Sequence, residues 1–476
     1  VLLALIYFPV FSHLDTLSVR QYDEARNAMN AYEMHKNGNY IVTHFEGKPD
    51  MWNSKPPLLN WCQVAFMKVI GVNELAVRLP SAIATLLICI LLLWFSKNYL
   101  NNEWLGIIAV LVLITSKGFI SIHASRTGDY DTLQTLFTTL GGLLSYWYCE
   151  KQKTKHLYLF FICFALAVLT KSISGLLFIP AILIYSIFRR QFIPLLKSKH
   201  FYLGLTSFLI LVLGYYLLRE MQNPGFIAAV QENELGGRYL EVLDQHQQPF
   251  FFYLQNILDY RFKWWIFLLP FGLITGLISK NQRVKNLTVF SGLMVLVLLL
   301  VISSSQTKLA WYDVPMYPFF ALLVATFVSF LFNALKKLKW LKNPILASLI
   351  PLIFLAALTF WPYKKILKKT VKPKEEAWIA EFYQISYFLK DAIKGKHDLN
   401  GQFVIFDKYH PHVLFYLAML NEQGVNVSNT NWKELKPNSL VVVHQVHLQD
   451  YIEENYTYEL ALEKGKIKKY KILTRK

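Results

Sequence analysis

Residues 22–61 read YDEARNAMNAYEMHKNGNYIVTHFEGKPDMWNSKPPLLNW, a polar and partly helical stretch that follows the apolar run Val1–Phe11 directly. It belongs to a longer gap, residues 12–80, crowded with Asp, Glu, Lys, Arg, Trp and Pro, after which apolar runs continue to Pro362. A membrane protein with such a segment between its first hydrophobic runs has a place for a reaction site at the water-lipid boundary. Hydrophobic residues make up 54% of the chain and the mean hydropathy is +0.32, too apolar for a soluble globular domain. A helical span takes roughly 20 apolar residues to cross about 30 Å of hydrocarbon. On that measure residues 80–97, 103–121, 131–148, 157–170, 174–188, 200–218, 263–279, 287–303, 313–334 and 344–361 read as spans, with an incomplete one at 1–11. The chain opens without Met inside an apolar run, so residues before Val1 are expected, and no signal peptide is visible.

The net charge of +18 is not a nucleic-acid signature, because the basic residues sit in short loops between spans: 151–156, 189–200, 280–286 and 336–343. On a count of about eleven spans these loops share one side, as the positive-inside rule expects of a cytoplasmic face. The opposite, extracytoplasmic side then receives residues 12–80, the 121–131 loop, the long loop 219–262, the 303–313 loop and everything after 362. Cys62, Cys89, Cys149 and Cys163 lie in or beside apolar runs and read as small core residues, without disulfide or metal spacing.

After Pro362 the composition changes. GQFVIFD, VNVSN and SLVVVH read as short strands, HPHVLFYLAMLNEQG and HLQDYIEENY as helices, and YELALEKGKIKKYKIL as a hairpin about Lys464 and Gly465. The expected architecture is an α-helical multi-span membrane domain, residues 1–361, followed by a small extracytoplasmic α/β domain, residues 362–476, acting as lid, docking module or support.

Ala25, Ala28, Met29 and Tyr32 recur at helical spacing, predicting an amphipathic helix from Asp23 to Lys36 that lays its apolar face on the membrane and ends at Asn37-Gly38. Asp23 and Glu24 open it. They are either caps for free backbone N–H groups or a base at the mouth of a membrane cavity. Lys55, fixed by Pro56 and Pro57 before the next helix, is either a lysine snorkelling to headgroups or part of a phosphate site. Asp131 follows a short loop holding Arg126 and Asp129. It is either a cap or a second carboxylate facing Asp23. The loop 219–262 is dense in charge (Glu232, Glu234, Arg238, Glu241, Asp244) and reads as mostly solvated surface, with Arg238 and Arg261 as candidates for phosphate contact.

YDEARNAMNAYEM, SKPPLLNW with GVNELAVRLPSAIA, ASRTGDYDTLQTLF, ALAVLTKSISGLLFIP and SSQTKLAWYDVPMYPFFALL together resemble, in order, the motifs of the bacterial GT-C glycosyltransferases, the family of the aminoarabinose lipid A transferases and, more distantly, the protein O-mannosyltransferases. The resemblance implies an inverting transfer of a sugar from an undecaprenyl (polyprenyl) phosphate donor to lipid A, another glycan or a protein, on the outer face of a bacterial inner membrane. It implies Asp23, with Glu24 beside it, and Asp131 as the catalytic carboxylates. Lys55, Tyr312, Arg126 and Arg238 fall to the donor phosphate, and His246, before a Pro-aromatic run, to a donor contact. The aminoarabinose transferases carry a Glu just before Lys-Pro-Pro that joins a histidine at a metal. Ser54 stands there in this chain, so no metal is expected at that position. A lipid transporter or flippase would also have many spans, but no internal repeat or pair of broken helices is visible.

Overall fold

The computed structural model describes residues 1–237, 247–337 and 344–476. Each apolar run is helical. The helices of the membrane part and its loops are α1 (Leu2–Val10), α2 (Asp23–Asn37), α3 (Leu58–Ile70), α4 (Glu74–Asn98), α5 (Glu103–Ile114), α6 (Tyr130–Lys151), α7 (Thr154–Lys171), α8 (Ile179–Phe188), α9 (Lys199–Gln222), α10 (Leu269–Leu277), α11 (Gln282–Ser304), α12 (Tyr317–Lys336) and α13 (Pro344–Thr370). Among the described residues six segments are long and apolar enough to cross a membrane: Glu74–Asn98, Thr154–Leu176, Lys199–Gln222, Gln282–Ser304, Ala310–Lys336 and Ser348–Thr370. The other runs give shorter helices, such as α5 and α8. Asn73 and Asn102 cap α4 and α5 by accepting from the N–H groups of Ala76 and Leu105, and the run 157–188 is broken after Lys171 by a 3₁₀ turn, Ser172–Leu176.

Lipid offers no hydrophobic drive between helices, so close approach has to supply the packing. Gly272 and Gly276, one turn apart on α10, provide it. A Cβ on the first would stand 2.0 Å from the Leu323 carbonyl oxygen of α12, and on the second 2.0 Å from the Thr288 hydroxyl of α11. Phe95, Ile108, Tyr146, Phe290 and Phe319 fill the shared core of α4, α5, α6, α11 and α12.

α13 runs to Thr370, beyond the expected boundary at 362, with Pro362 inside it. The C-terminal domain that follows has the strands and helices the sequence predicts. Alongside α14 (Gln384–Ile393), α15 (Pro411–Glu422) and α16 (Val446–Asn455), a sheet forms from β3 (Gln402–Ile405), β4 (Val427–Ser428), β5 (Leu440–Val443), β6 (Tyr456–Lys464) and β7 (Ile467–Arg475); a first small hairpin, β1 (His44–Phe45) and β2 (Lys48–Pro49), lies in the polar segment. The strand order is β4-β3-β5-β7-β6, parallel from β4 to β5 and antiparallel thereafter.

One expectation is corrected by this domain. The apolar face of α2 does not lie on the membrane. Ala25, Ala28, Met29 and Met34 share one buried core with Val64 and Met67 of α3 and with Phe388, Leu389, Phe415 and Tyr416 of the C-terminal domain. Polar ties reinforce it: Arg20 pairs with Glu375 at 2.6 Å, Lys390 with Glu74 at 2.7 Å, and the Tyr416 hydroxyl accepts from the Val19 N–H at 3.0 Å. The domain is thus built onto the polar segment.

Candidate active site

Helix α2 begins after Tyr22, whose φ of 68° turns the chain sharply, and ends at Gly38 with φ 70°, where the N–H returns to the Met34 carbonyl. The turn separates two neighbouring carboxylates. Glu24 points inward and is fully buried. It accepts from Arg78 at 2.7 and 2.9 Å, from the Arg20 N–H at 2.7 Å and from the Gly128 N–H at 2.8 Å. Burial alone would raise its pKa, but the Arg78 charge and these bonds hold it below the ordinary carboxylate range. Glu24 is therefore a clamp joining α2, α4 and the 121–131 loop, and its expected place beside Asp23 in the chemistry is closed off by its partners. Asp23 faces out, with its side chain 51% exposed. Neither residue is the N-cap of α2, since the residue before the helix is Tyr22 and no side-chain cap bond forms there, but Glu24 does satisfy free backbone N–H groups, those of Arg20 and Gly128.

Asp131, in the first turn of α6, is buried and bound to Lys171 at 2.5 Å, both side chains under a tenth exposed. Lys171 sits where α7 breaks, and Gly175 is what lets the broken turn fold back, since a Cβ there would stand 2.6 Å from the Ala167 backbone. Lys171 Nζ lies 5.1 Å from the centre of the Tyr312 ring. Asp131, Lys171, Gln134, Glu234 and Tyr312 line a cleft together with Leu177, Phe178, Leu298, Val301 and Ile302. Lys55 reaches the same place: its Nζ is 3.2 Å from Glu234 and 5.6 Å from the centre of the Tyr130 ring. The Ser54 hydroxyl donates to the same Glu234 carboxylate at 3.1 Å. An acid does stand beside Lys55, but it comes from the second large loop.

Asp23 belongs to the same end of the bundle. Its carboxylate is 3.9 Å from His123 Nδ1, which is 3.2 Å from Asp129, and its charge is felt at Lys171 and at Tyr130. The His123 ring is held by stacking on Trp311, centroids 3.7 Å apart. Burial opposes a charge on this imidazole, yet Asp129 and Asp23 outweigh it and raise the pKa. Asp23, His123 and Asp129 bring ligand atoms within 4.8 Å of one another, and Asp129 Oδ1 is buried without a hydrogen-bond partner among the described residues. This mixed nitrogen and oxygen set suits a divalent transition metal, whereas Ser54 offers no carboxylate for one.

Other expectations are redirected. Arg126 donates to the carbonyls of Pro9, Val10, Ser12 and His13, tying down the end of α1; it is committed to backbone, and burial lowers its pKa to about 10. Arg261 forks onto Asp313 at 2.7 and 2.6 Å. The loop 219–262 is not simply solvated surface, since Arg219 is fully buried and donates to the Ile41 and Asp50 carbonyls, and Glu234 is 6% exposed. Arg238 and His246 lie outside the described residues. Lys171 and His123 went unremarked as site residues; the signal for the first was a lysine inside an apolar run, while nothing local marked the second. The C-terminal domain also borders the Asp23 rim: Tyr409 stacks on Tyr22 with centroids 6.0 Å apart, and its carbonyl accepts from the Gln21 amide.

A profile of the dolichyl-phosphate-mannose-protein mannosyltransferase family matches residues 54–216. The chain is 26% identical over 370 residues to an uncharacterised protein of Aquifex aeolicus (strain VF5), covering 76% of this chain and 70% of that one. It is 26% identical over 379 residues to the undecaprenyl phosphate-alpha-4-amino-4-deoxy-L-arabinose arabinosyl transferase of Aeromonas hydrophila, with 75% and 66% covered. For the transferase of the same name from Edwardsiella ictaluri the identity is 26% over 318 residues, and the match spans 65% of this chain but only 55% of the relative. ArnT from Cupriavidus metallidurans, solved bound to undecaprenyl phosphate, superposes with a TM-score of 0.72 at 13% identity, covering 98% of this chain and 96% of that one. The archaeal oligosaccharyltransferase AglB from Archaeoglobus fulgidus gives 0.55 at 12% identity, covering 88% and 63%. The chain is thus similar in profile and sequence to transferases of the PMT and ArnT kind, and it shares the fold of ArnT.

Proposed function

We propose that the chain transfers a sugar from a polyprenyl phosphate donor to an acceptor hydroxyl, with inversion at the anomeric carbon, in the cleft between Asp131, Lys171 and Tyr312. The observation that carries this reading is the cleft's lining: a buried cation, Lys171, together with aliphatic side chains. An isoprenoid phosphate likewise joins a charge to hydrocarbon. Its chain lies along Leu298, Val301 and Ile302, and its phosphate meets Lys171, Lys55 and the Tyr312 ring. Asp131 positions Lys171.

In the reaction the bond between the anomeric carbon and the phosphate oxygen breaks, and its electron pair stays with the phosphate. Lys171 and Lys55 stabilise that growing charge, which preorganised cations do well in a water-poor site. The acceptor oxygen forms the new bond from the opposite face and passes its proton to Asp23, the exposed carboxylate at the rim. Asp23, His123 and Asp129 would hold a divalent cation, which when bound would supply positive charge at the rim in place of Asp23's role as a base. The positive-inside reading of the basic loops supports a periplasmic or exterior orientation for the site and the C-terminal domain. A transporter reading gains nothing from the named relatives, which are transferases.

The test uses the purified protein in proteoliposomes with a set of undecaprenyl phosphate sugars. Release of undecaprenyl phosphate, dependent on both acceptor and Asp23, is the expected result. Mass spectrometry of surface lipids and glycoproteins from a deletion strain then identifies the product. Movement of donor lipid across the bilayer without bond cleavage would overturn the proposal.

A further inference from the structure

A second cleft opens between α4, α6 and α7 at the end of the bundle away from the candidate active site. α6 connects the two ends: from Asp131 to Lys151 it rises about 30 Å at 1.5 Å per residue. Leucine side chains floor this second cleft, and its mouth carries Trp94, Trp147, Lys151, Lys153, Lys155 and His156. All three lysines are exposed and make no ion pair among the described residues. Glu150, their acidic neighbour in sequence, is committed elsewhere, to Arg189 at 3.0 Å and to Asn286 and Tyr185.

The aromatic side is built to rigid specification. The Trp147 and His156 rings are parallel within 1° at 4.9 Å, Trp94 meets Trp147 edge-on at 5.0 Å, and Lys151 Nζ lies 5.5 Å from the Trp147 ring centre. His156 is only 6% exposed, and both its Nδ1 and the Trp147 Nε1–H are buried without a hydrogen-bond partner among the described residues. A buried donor without a partner is destabilising, and the Trp147 indole N–H is such a donor. A ligand with acceptor oxygens relieves that cost.

We propose that this cleft is a binding site for an anionic membrane phospholipid, with an acyl chain on the leucine floor and the phosphate between the three lysines and the Trp147 and His156 nitrogens. The outer wall is open sideways, since Trp94 is 46% and Leu159 45% exposed, so a lipid enters from the bilayer. Charge decides the occupant: three unpaired cations favour an anionic headgroup over a zwitterionic one, and basic pockets between helices are the usual form of such sites. The sugar donor of the proposed reaction is not the occupant here, because its phosphate is assigned to the other end of α6.

The experiment measures retention of phosphatidylglycerol against phosphatidylcholine by native mass spectrometry of the full chain in detergent, with thermal stabilisation by each lipid as second readout. Wild type is expected to retain phosphatidylglycerol and to be stabilised by it. K151Q/K153Q/K155Q, three exposed changes, should weaken that binding roughly a hundredfold, and W147F, which keeps an aromatic ring but removes the indole N–H, should weaken it with the lysines intact. Equal retention of the two phospholipids overturns the proposal, as does retention unchanged in the triple variant. Preferential retention of undecaprenyl phosphate that the triple variant abolishes would overturn the choice of occupant.

Discussion

The pair of Asp131 and Lys171 separates what the site needs for folding from what it needs for reaction. At 2.5 Å and an effective dielectric of 20, their attraction is about 7 kcal/mol, most of it offset by the desolvation of two buried ions. The net worth of the pair is small, but removing one partner leaves the other buried and uncompensated, at a cost of about 3–5 kcal/mol. D131N should therefore unfold at markedly lower temperature than wild type. The double variant D131N/K171Q, with no stranded charge, should recover most of that loss. Turnover should not follow stability. With Lys171 gone, the leaving phosphate loses a preorganised cation, an effect of roughly 10²–10³ in rate, and the double variant should stay that slow. Stability can be followed with a thiol-reactive fluorophore, because Cys89, Cys149 and Cys163 are buried and free, and turnover by release of undecaprenyl phosphate. Two outcomes would refute the reasoning: D131N as stable as wild type, or a double variant that regains wild-type turnover.

D23N should fold normally, because half of that side chain is in solvent, and should lose about 10²–10⁴ in rate as a missing base; a tenfold loss or less in a saturating assay would remove Asp23 from that role. E24Q should do the reverse, leaving Arg78 facing a neutral amide and lowering stability by several kcal/mol, about 3–5, as read from unfolding in detergent. His123 has a raised folded pKa, so its contribution to stability is fully present below its unfolded value near 6.5 and is lost as pH rises through the folded value. The wild type minus H123Q difference in stability should shrink with rising pH, and a flat or growing difference contradicts the ion pairing with Asp129. Y409A should raise KM for the acceptor more than it lowers kcat, since Tyr409 touches the rim through Tyr22 and not the cleft; an unchanged KM would leave it a purely structural contact.

Much of this was legible in the residues, for reasons that differ by element. The spans showed because a bilayer imposes length and apolarity on a continuous stretch, and the C-terminal strands showed because period-two apolar patterns stand out after a helical region. Asp23, Lys55 and Asp131 stood out as candidates because a charge beside a span is costly enough to need a reason. What stayed hidden was partnership. Nothing near Glu24 announces Arg78, and the difference between it and Asp23 is one residue of helical rotation, with one carboxylate facing the packed interior and its neighbour facing out. The face of α2 misled for a related reason. A helical apolar stripe says that something covers it, not whether the cover is lipid or a domain nearly 400 residues later in the chain.

That cover bears on how Asp23 works. A general base gains from a fixed position but is weakened by strong partners that hold its proton affinity down. On the proposed function, the chain resolves this by assigning the two needs to adjacent residues. Glu24 takes the four hydrogen bonds that lock the start of α2 to α4 and to the loop carrying Asp129. Asp23, one position earlier, inherits the fixed backbone without taking on those bonds. The C-terminal domain secures the same turn from outside, through Arg20 and Glu375, Tyr383 to the Gln21 N–H, and Tyr409 against Tyr22. Shortening the chain after α13 therefore does more than remove an appendage. It uncovers the Ala25, Ala28 and Met29 face and frees the turn that aims Asp23, so a truncated protein that kept wild-type turnover would show that the rim is held from within the membrane domain alone.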